Sequence, residues 1–362
     1  MKKCYQILPV LLIWAVLAAA LWFSPAGELS EAERRPLAQM PALTGKTLLN
    51  GSFMKDFEKF TLDQFPLRDS FRQIKARFHF EVLHQSDNND IYLVDGTAVG
   101  QEYPLNEASV SHAIDRFSYV YNRYLAETGS KVCMAIVPDK GYYLGGGHLT
   151  MDYGRMMELF REGMPWAAHI DLTGSLDGED YYRTDTHWRQ EALADAAGAL
   201  CEALGAEKPR WEDYTVTTLD RPFYGVYYGQ AALPMEPDEL KILESDLLKG
   251  CSVYDYETGK TNQVYDAAKL ESKDLYDVFL SGPKSLLRID NPNASSDREL
   301  IIFRDSFGSA IAPLLAQGYK TVTLVDIRYL QSNMLGKYLT FAGQDVLFLY
   351  STLVLNNSST IK

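Results

Sequence analysis

Apolar residues are spaced in three different ways along this chain, and each spacing predicts different structure. From Ile7 to Phe23 they form one uncharged run, closed by Ser24-Pro25. From Phe53 to Leu83 they recur at helical intervals, as Phe57, Phe60, Phe65, Phe71, Ile74, Phe78 and Val82. Pro66 interrupts that series and predicts two helices rather than one. Between these stretches, Glu28 to Gly51 is polar, carries Arg34-Arg35-Pro36 and Met40-Pro41, and reads as an extended stem.

Beyond Leu83 short apolar runs alternate with helical patterns. Ile91-Tyr92-Leu93-Val94 before Asp95-Gly96 predicts a strand and tight turn. A helix over Asn106–Glu127 leads into Val132–Val137, a Val- and Ile-rich run suited to a fully buried strand. Another helix is expected over Arg189–Leu204, a strand over Glu299–Phe303, and a helix from Phe307 to Gln317 that stops at Gly318. Thr321–Val325 and Asp345–Tyr350 complete the strands. Helices between buried strands imply an α/β domain: a mostly parallel sheet covered on both faces. The stretch from about 208 to 292 is more polar and less periodic, and is expected to be an insertion. The organisation anticipated is a leader over 1–27, a stem with N-terminal helices over 28–84, and the α/β domain over 85–356.

Composition narrows the function classes. The 362 residues carry a formal net charge of -13, which leaves no basic surface for a nucleic-acid partner. Lys2 and Lys3 before the first apolar run mark a secretory signal or signal anchor, and hence an extracytoplasmic domain. The length of the run favours an uncleaved anchor with its basic end in the cytoplasm. Cys4 precedes the run with no lipobox ahead of it, so it is not a lipid-attachment site. Cys133, Cys201 and Cys251 are the cysteines beyond it; three allow at most one disulfide and exclude a disulfide-stapled scaffold. No Cys/His spacing suggests a metal site.

Two segments carry candidate chemistry. In Tyr181-Tyr182-Arg183-Thr184-Asp185-Thr186-His187-Trp188, an extended backbone would send Asp185 and His187 to the same side. The carboxylate could then fix one imidazole nitrogen and leave the other as a base. The plainer reading makes Asp185 the cap of a helix starting near Trp188. In Leu300-Ile301-Ile302-Phe303-Arg304-Asp305-Ser306-Phe307-Gly308, a buried strand runs into a serine that opens a helix. That places Oγ at the carboxyl edge of the sheet and the Ser306 N–H where an oxyanion would form. Here too a helix cap is the plainer reading. Together the two segments hold a nucleophile, a base and an orienting acid, the set serine hydrolase chemistry needs.

The Thr184–Trp188 stretch is similar to the signature of the alginate O-acetylation proteins, and it resembles the DHHW protein family, in which His stands where this chain has Thr186. Other blocks resemble the DHHW pattern in order: Glu33-Arg34-Arg35-Pro36-Leu37, Asp63-Gln64-Phe65-Pro66-Leu67-Arg68-Asp69, Val137-Pro138-Asp139-Lys140, Arg304-Asp305-Ser306-Phe307 with Pro313-Leu314-Leu315, and Val325-Asp326-Ile327-Arg328-Tyr329. The resemblance runs from about Glu31 to Asn356 and is weakest in the polar insertion. It departs at Arg304, where Lys is common, and at Phe307, where Tyr is. It implies an SGNH-hydrolase-like fold of permuted motif order, with Asp and His ahead of Ser. By that likeness Ser306 matches the nucleophile, His187 the base and Asp185 its orienting group. Arg328, Lys140, Trp188 and Tyr182 are the candidates for an oxyanion or substrate pocket; for Arg328 and Lys140 a surface charge or an ion pair is the competing reading.

The activity so implied is O-acetyl transfer to a cell-surface or secreted polysaccharide through an acyl-enzyme, without a cofactor. A membrane-bound O-acyltransferase would supply the acetyl groups. An esterase or deacetylase would use the same three residues with water as acceptor. A non-catalytic polysaccharide-binding or assembly protein would keep the fold alone, with its Tyr residues and Trp166 or Trp188 meeting the glycan.

Overall fold

The computed structural model describes residues 2–30 and 32–362, and Met1 and Glu31 lie outside the described residues. The chain divides into two units, Met1–Asn89 with Tyr228–Met235, and Asp90–Tyr227 with Glu236–Lys362.

The smaller unit is helical. Its first helix covers Lys2–Phe23, and the large apolar side chains it carries from Ile7 onward are mostly exposed. Among the described residues no helix is long and apolar enough to cross a membrane. The expected stem is not wholly extended: Leu29–Ser30 pairs with Arg35–Pro36, and Gly45–Leu49 is a short helix capped by Thr44. The helical spacing after Phe53 resolves into helices Ser52–Asp63 and Arg68–Arg77, the second continuing as a π-helical turn over Phe78–Val82. The break spans Gln64–Leu67, because Phe65, the residue before Pro66, is pushed out of the helical region. A charged cluster ties the unit together. Asp63 accepts two hydrogen bonds from the Arg35 guanidinium (2.8 and 2.6 Å), which hold its carboxyl down at about 2. Glu33 pairs with Arg68 at 2.6 Å and Arg72 at 3.2 Å.

The larger unit is built on an eight-stranded sheet. Its order is Lys260–Asn262, Ser252–Asp255, Leu286–Asp290, Thr321–Val325, Glu299–Arg304, Asp345–Ser351, Val132–Val137 and Ala168–Ile170. The last five strands are parallel, and the first three add antiparallel to one edge. Strands buried on both faces need apolar residues at every position, and alternate residues here serve opposite cores. Cys133, Ala135, Leu300, Ile302, Leu347 and Leu349 pack towards helices Ala194–Leu204 and Gly308–Leu315. Met134, Ile136, Ile301, Phe303, Val346 and Phe348 pack the other way, towards Glu107–Val120 and Tyr153–Gly163. The polar stretch 208–292 supplies the three antiparallel edge strands and a separate hairpin, Thr215–Phe223 with Asp238–Glu244. Cys133, Cys201 and Cys251 are free and buried.

Candidate active site

The Glu299–Arg304 strand lies between two parallel neighbours, so its carboxyl end opens at the middle of the sheet edge. Asp305, fully buried, shapes the turn that follows. One oxygen accepts from the Phe307 N–H at 3.0 Å; the other accepts from the Ser351 N–H at 2.8 Å and its hydroxyl at 2.7 Å. The turn is thereby pinned to the adjacent strand, with Ser306 at its tip ahead of the Gly308–Leu315 helix. The Ser306 N–H has no hydrogen-bond partner among the described residues, whereas those of Phe307, Gly308 and Ser309 are engaged.

Asp185 and His187 do not lie on an extended strand, nor does Asp185 cap a helix. Residues 183–187 form a tight loop, closed by the Tyr181–Trp188 bridge and by the Tyr182 N–H donating to the His187 carbonyl at 3.1 Å. Asp238, the first residue of the Asp238–Glu244 hairpin strand, holds that loop, accepting from the Arg183 and Thr184 N–H groups at 2.8 Å each and from the Thr184 hydroxyl at 2.5 Å. Gly225 packs so closely beneath it that a Cβ there would sit 2.1 Å from the Cβ of Asp185.

The loop sets up a hydrogen-bonded chain. One Asp185 oxygen lies 2.7 Å from His187 Nδ1, and the other accepts from the Val226 N–H at 2.9 Å. His187 Nε2 lies 2.8 Å from Ser306 Oγ. A carboxylate can only accept, so the Nδ1 proton points to Asp185 and the Nε2 lone pair faces the serine hydroxyl. The imidazole is clamped: the Tyr276 ring stacks on it at 3.9 Å and 10°, and Phe307 tilts against it at 4.9 Å.

The other residues named from sequence do different things. Lys140 is buried, donates to the carbonyls of Ala98 and Tyr182 (2.9 Å to the latter), and sits 4.9 Å from the Tyr227 ring centre. Burial lowers its ammonium to about 7, against the pull of Asp185, Asp238 and Asp139. Arg328 is committed to Asp326 through Nε and Nη2, the latter at 2.7 Å. Trp188 is buried and donates to the Phe307 carbonyl at 3.1 Å, and Tyr182 packs edge-on to Phe223. Tyr276, Asp238 and Asp305 carry no functional reading in the sequence. Asp305 stood beside the serine but read only as a cap; Tyr276 and Asp238 lie in the aperiodic polar stretch, where nothing local marks them. Among the described residues no group of three or more His, Cys, Asp or Glu is placed to hold a metal.

A mostly parallel sheet, flanked by helices, with the serine at a central strand end and the D-x-H pair earlier in the chain, defines an α/β protein of the SGNH-hydrolase-like class in permuted order. The chain resembles the DHHW family, whose model, described as DHHW protein, matches residues 171–325. Solved structures agree on the fold. A DHHW family protein from Eubacterium siraeum is 20% identical, with a TM-score of 0.60 over 76% of this chain and 95% of that one. Bacillus cereus PatB1 with a sulfonyl adduct is 17% identical, with a TM-score of 0.59 over 73% of this chain and 95% of that one. The O-acetyltransferase domain of Pseudomonas putida AlgJ is 16% identical over 74% of this chain and 92% of that one, but its TM-score of 0.46 is too low to bear on the fold. No curated protein matches the chain by sequence.

Proposed function

We propose that this protein is an extracytoplasmic serine O-acetyltransferase that acetylates a cell-surface or secreted polysaccharide. The observation that carries the chemistry is the unbroken chain from Asp185 through His187 to Ser306, with links of 2.7 and 2.8 Å. As the Ser306 oxygen bonds to the acyl carbon of a donor ester, its proton passes to His187 Nε2. Asp185 stabilises the imidazolium, and the free Ser306 N–H faces the oxyanion. His187 then protonates the departing donor oxygen, leaving acetyl on Ser306. A sugar hydroxyl repeats the steps in reverse: it gives its proton to His187, takes the acetyl carbon and frees the serine.

Transfer, rather than hydrolysis, is supported by the block-by-block likeness to the DHHW family and by the likeness of Thr184–Trp188 to the signature of the alginate O-acetylation proteins. The envelope location rests on Lys2, Lys3 and the apolar run to Phe23, which would hold the domain beside a membrane-bound acyltransferase donor and raise its effective concentration. The test is acetyl transfer from 4-nitrophenyl acetate to an oligosaccharide by the purified full chain. Wild type should form the acetylated sugar and Ser306→Ala should not; equal transfer by the variant would end this reading.

A further inference from the structure

The Arg68–Arg77 helix has its amphipathicity inside out. Leu67, Phe71, Ile74 and Phe78 are 69, 45, 63 and 50% exposed. At 3.6 residues per turn they share an arc of about 60°. Val82, one π-helical turn further on, is 58% exposed. On the opposite side Ala76 is fully buried, and two of the three arginines, Arg68 and Arg72, turn inwards. Arg72 donates to the Gly229 carbonyl at 2.7 Å and pairs with Glu33, as does Arg68. A helix washed by water presents the reverse arrangement, with charges out and its apolar stripe on the core. An exposed apolar stripe of this length marks a surface that something apolar covers.

We propose that this face lies on an anionic lipid bilayer, so that the helix is an interfacial element of the protein. Lys75 and Arg77, both exposed, flank the stripe on its two sides, where anionic head groups would meet them. The stripe also continues into apolar surface of its own unit. Phe71 packs on Phe65 at 5.6 Å, and Phe65 on Trp14 of the first helix at 6.5 Å. That helix exposes Leu8, Leu11, Leu12, Ile13 and Val16 as well. The inference rests on the envelope location proposed above, and it adds a second lipid contact to the expected anchor.

The test uses the full chain with Cys4→Ser, in liposomes of phosphatidylethanolamine and phosphatidylglycerol. Nitroxide labels are placed singly through Leu11→Cys, Gln73→Cys, Ile74→Cys and Phe78→Cys; the three buried cysteines are shielded from the label. Labels at 74 and 78 should collide several-fold more with oxygen than with a water-soluble nickel chelate, and the label at 73 should show the opposite. Nickel access at 74 and 78 equal to that at 73 would overturn the inference. Shielding of 74 and 78 from both reagents would overturn it too, in favour of a protein cover. The label at 11 keeps the two readings apart. Lipid at 11 with water at 74 removes the interfacial helix alone, whereas water at 11 with lipid at 74 removes the anchor alone.

Discussion

Replacing Tyr276 by leucine isolates the clamp on the imidazole. Tyr276 is 4% exposed, stacks on His187 at 3.9 Å and 10°, and packs on Phe279 at 5.0 Å. Stacked aromatic pairs are worth about 0.5–1.5 kcal/mol beyond their area. A cation over a ring face, which His187 becomes when it takes the serine proton, gains about 2 kcal/mol when desolvated. Part of that gain exists only in the charged state, so Tyr276→Leu should slow acylation by roughly 5- to 30-fold. Lost packing also lowers stability, so Tyr276→Phe is the control: it keeps the ring face and should acylate within about twofold of wild type, a tolerance well inside that range. The assay is the burst of 4-nitrophenol from 4-nitrophenyl acetate in stopped flow, with thermal unfolding measured alongside. A leucine variant as fast as wild type would refute the electrostatic role, and so would a phenylalanine variant as slow as leucine.

Three further outcomes follow from contacts around the loop. Gly225→Ala should disable the site, because its new Cβ would meet the Asp185 Cβ at 2.1 Å and the Thr184 carbonyl at 2.5 Å; overpacking of this kind costs about 1–3 kcal/mol, readable in the urea midpoint beside a loss of burst. Asp185→Asn should lower the acylation rate on the order of 10⁴-fold while the fold persists, since an amide lets the imidazole adopt the wrong tautomer; circular dichroism with burst kinetics checks both parts. Lys140 has a folded value near 7, below its ordinary 10.5, because burial disfavours its charge. Between those values the unfolded chain binds the extra proton, so stability rises with pH across the window, by at most about 1.4 kcal/mol per unit. Urea unfolding from pH about 7 to about 10 should show wild type gaining on Lys140→Met, and parallel curves would contradict the burial argument.

The parts legible in the sequence are those with local causes. Strands buried on both faces announce themselves as unbroken apolar runs, so Val132–Val137, Thr321–Val325 and Asp345–Ser351 stand within a residue of their expected places. The Pro66 break was legible for the same reason. The helix expected from Arg189 instead begins as a 3₁₀ turn at Gln190 and becomes regular at Ala194, because Gln190 is drawn off to the Ala310 carbonyl and the Leu243 N–H. The serine, histidine and aspartate were nameable from type and order. What joins them was not: the loop at 183–187 takes its shape from Asp238, 53 residues beyond Asp185, and from the close approach of Gly225. The stretch 208–292 hid three sheet strands because none is an unbroken apolar run: Lys260–Asn262 is polar, Ser252–Asp255 alternates, and Arg288 interrupts Leu286–Asp290.

Covalent capture at Ser306 tests the central claim most directly. The full chain is mixed with 4-nitrophenyl acetate, quenched in acid, digested and mapped by mass spectrometry. Acyl transfer through the Asp185–His187–Ser306 chain predicts acetyl on Ser306 in wild type, none in Ser306→Ala, and loss of the label when a sugar acceptor is added before the quench. Acetyl on another residue, or unchanged ester turnover by Ser306→Ala, would contradict it.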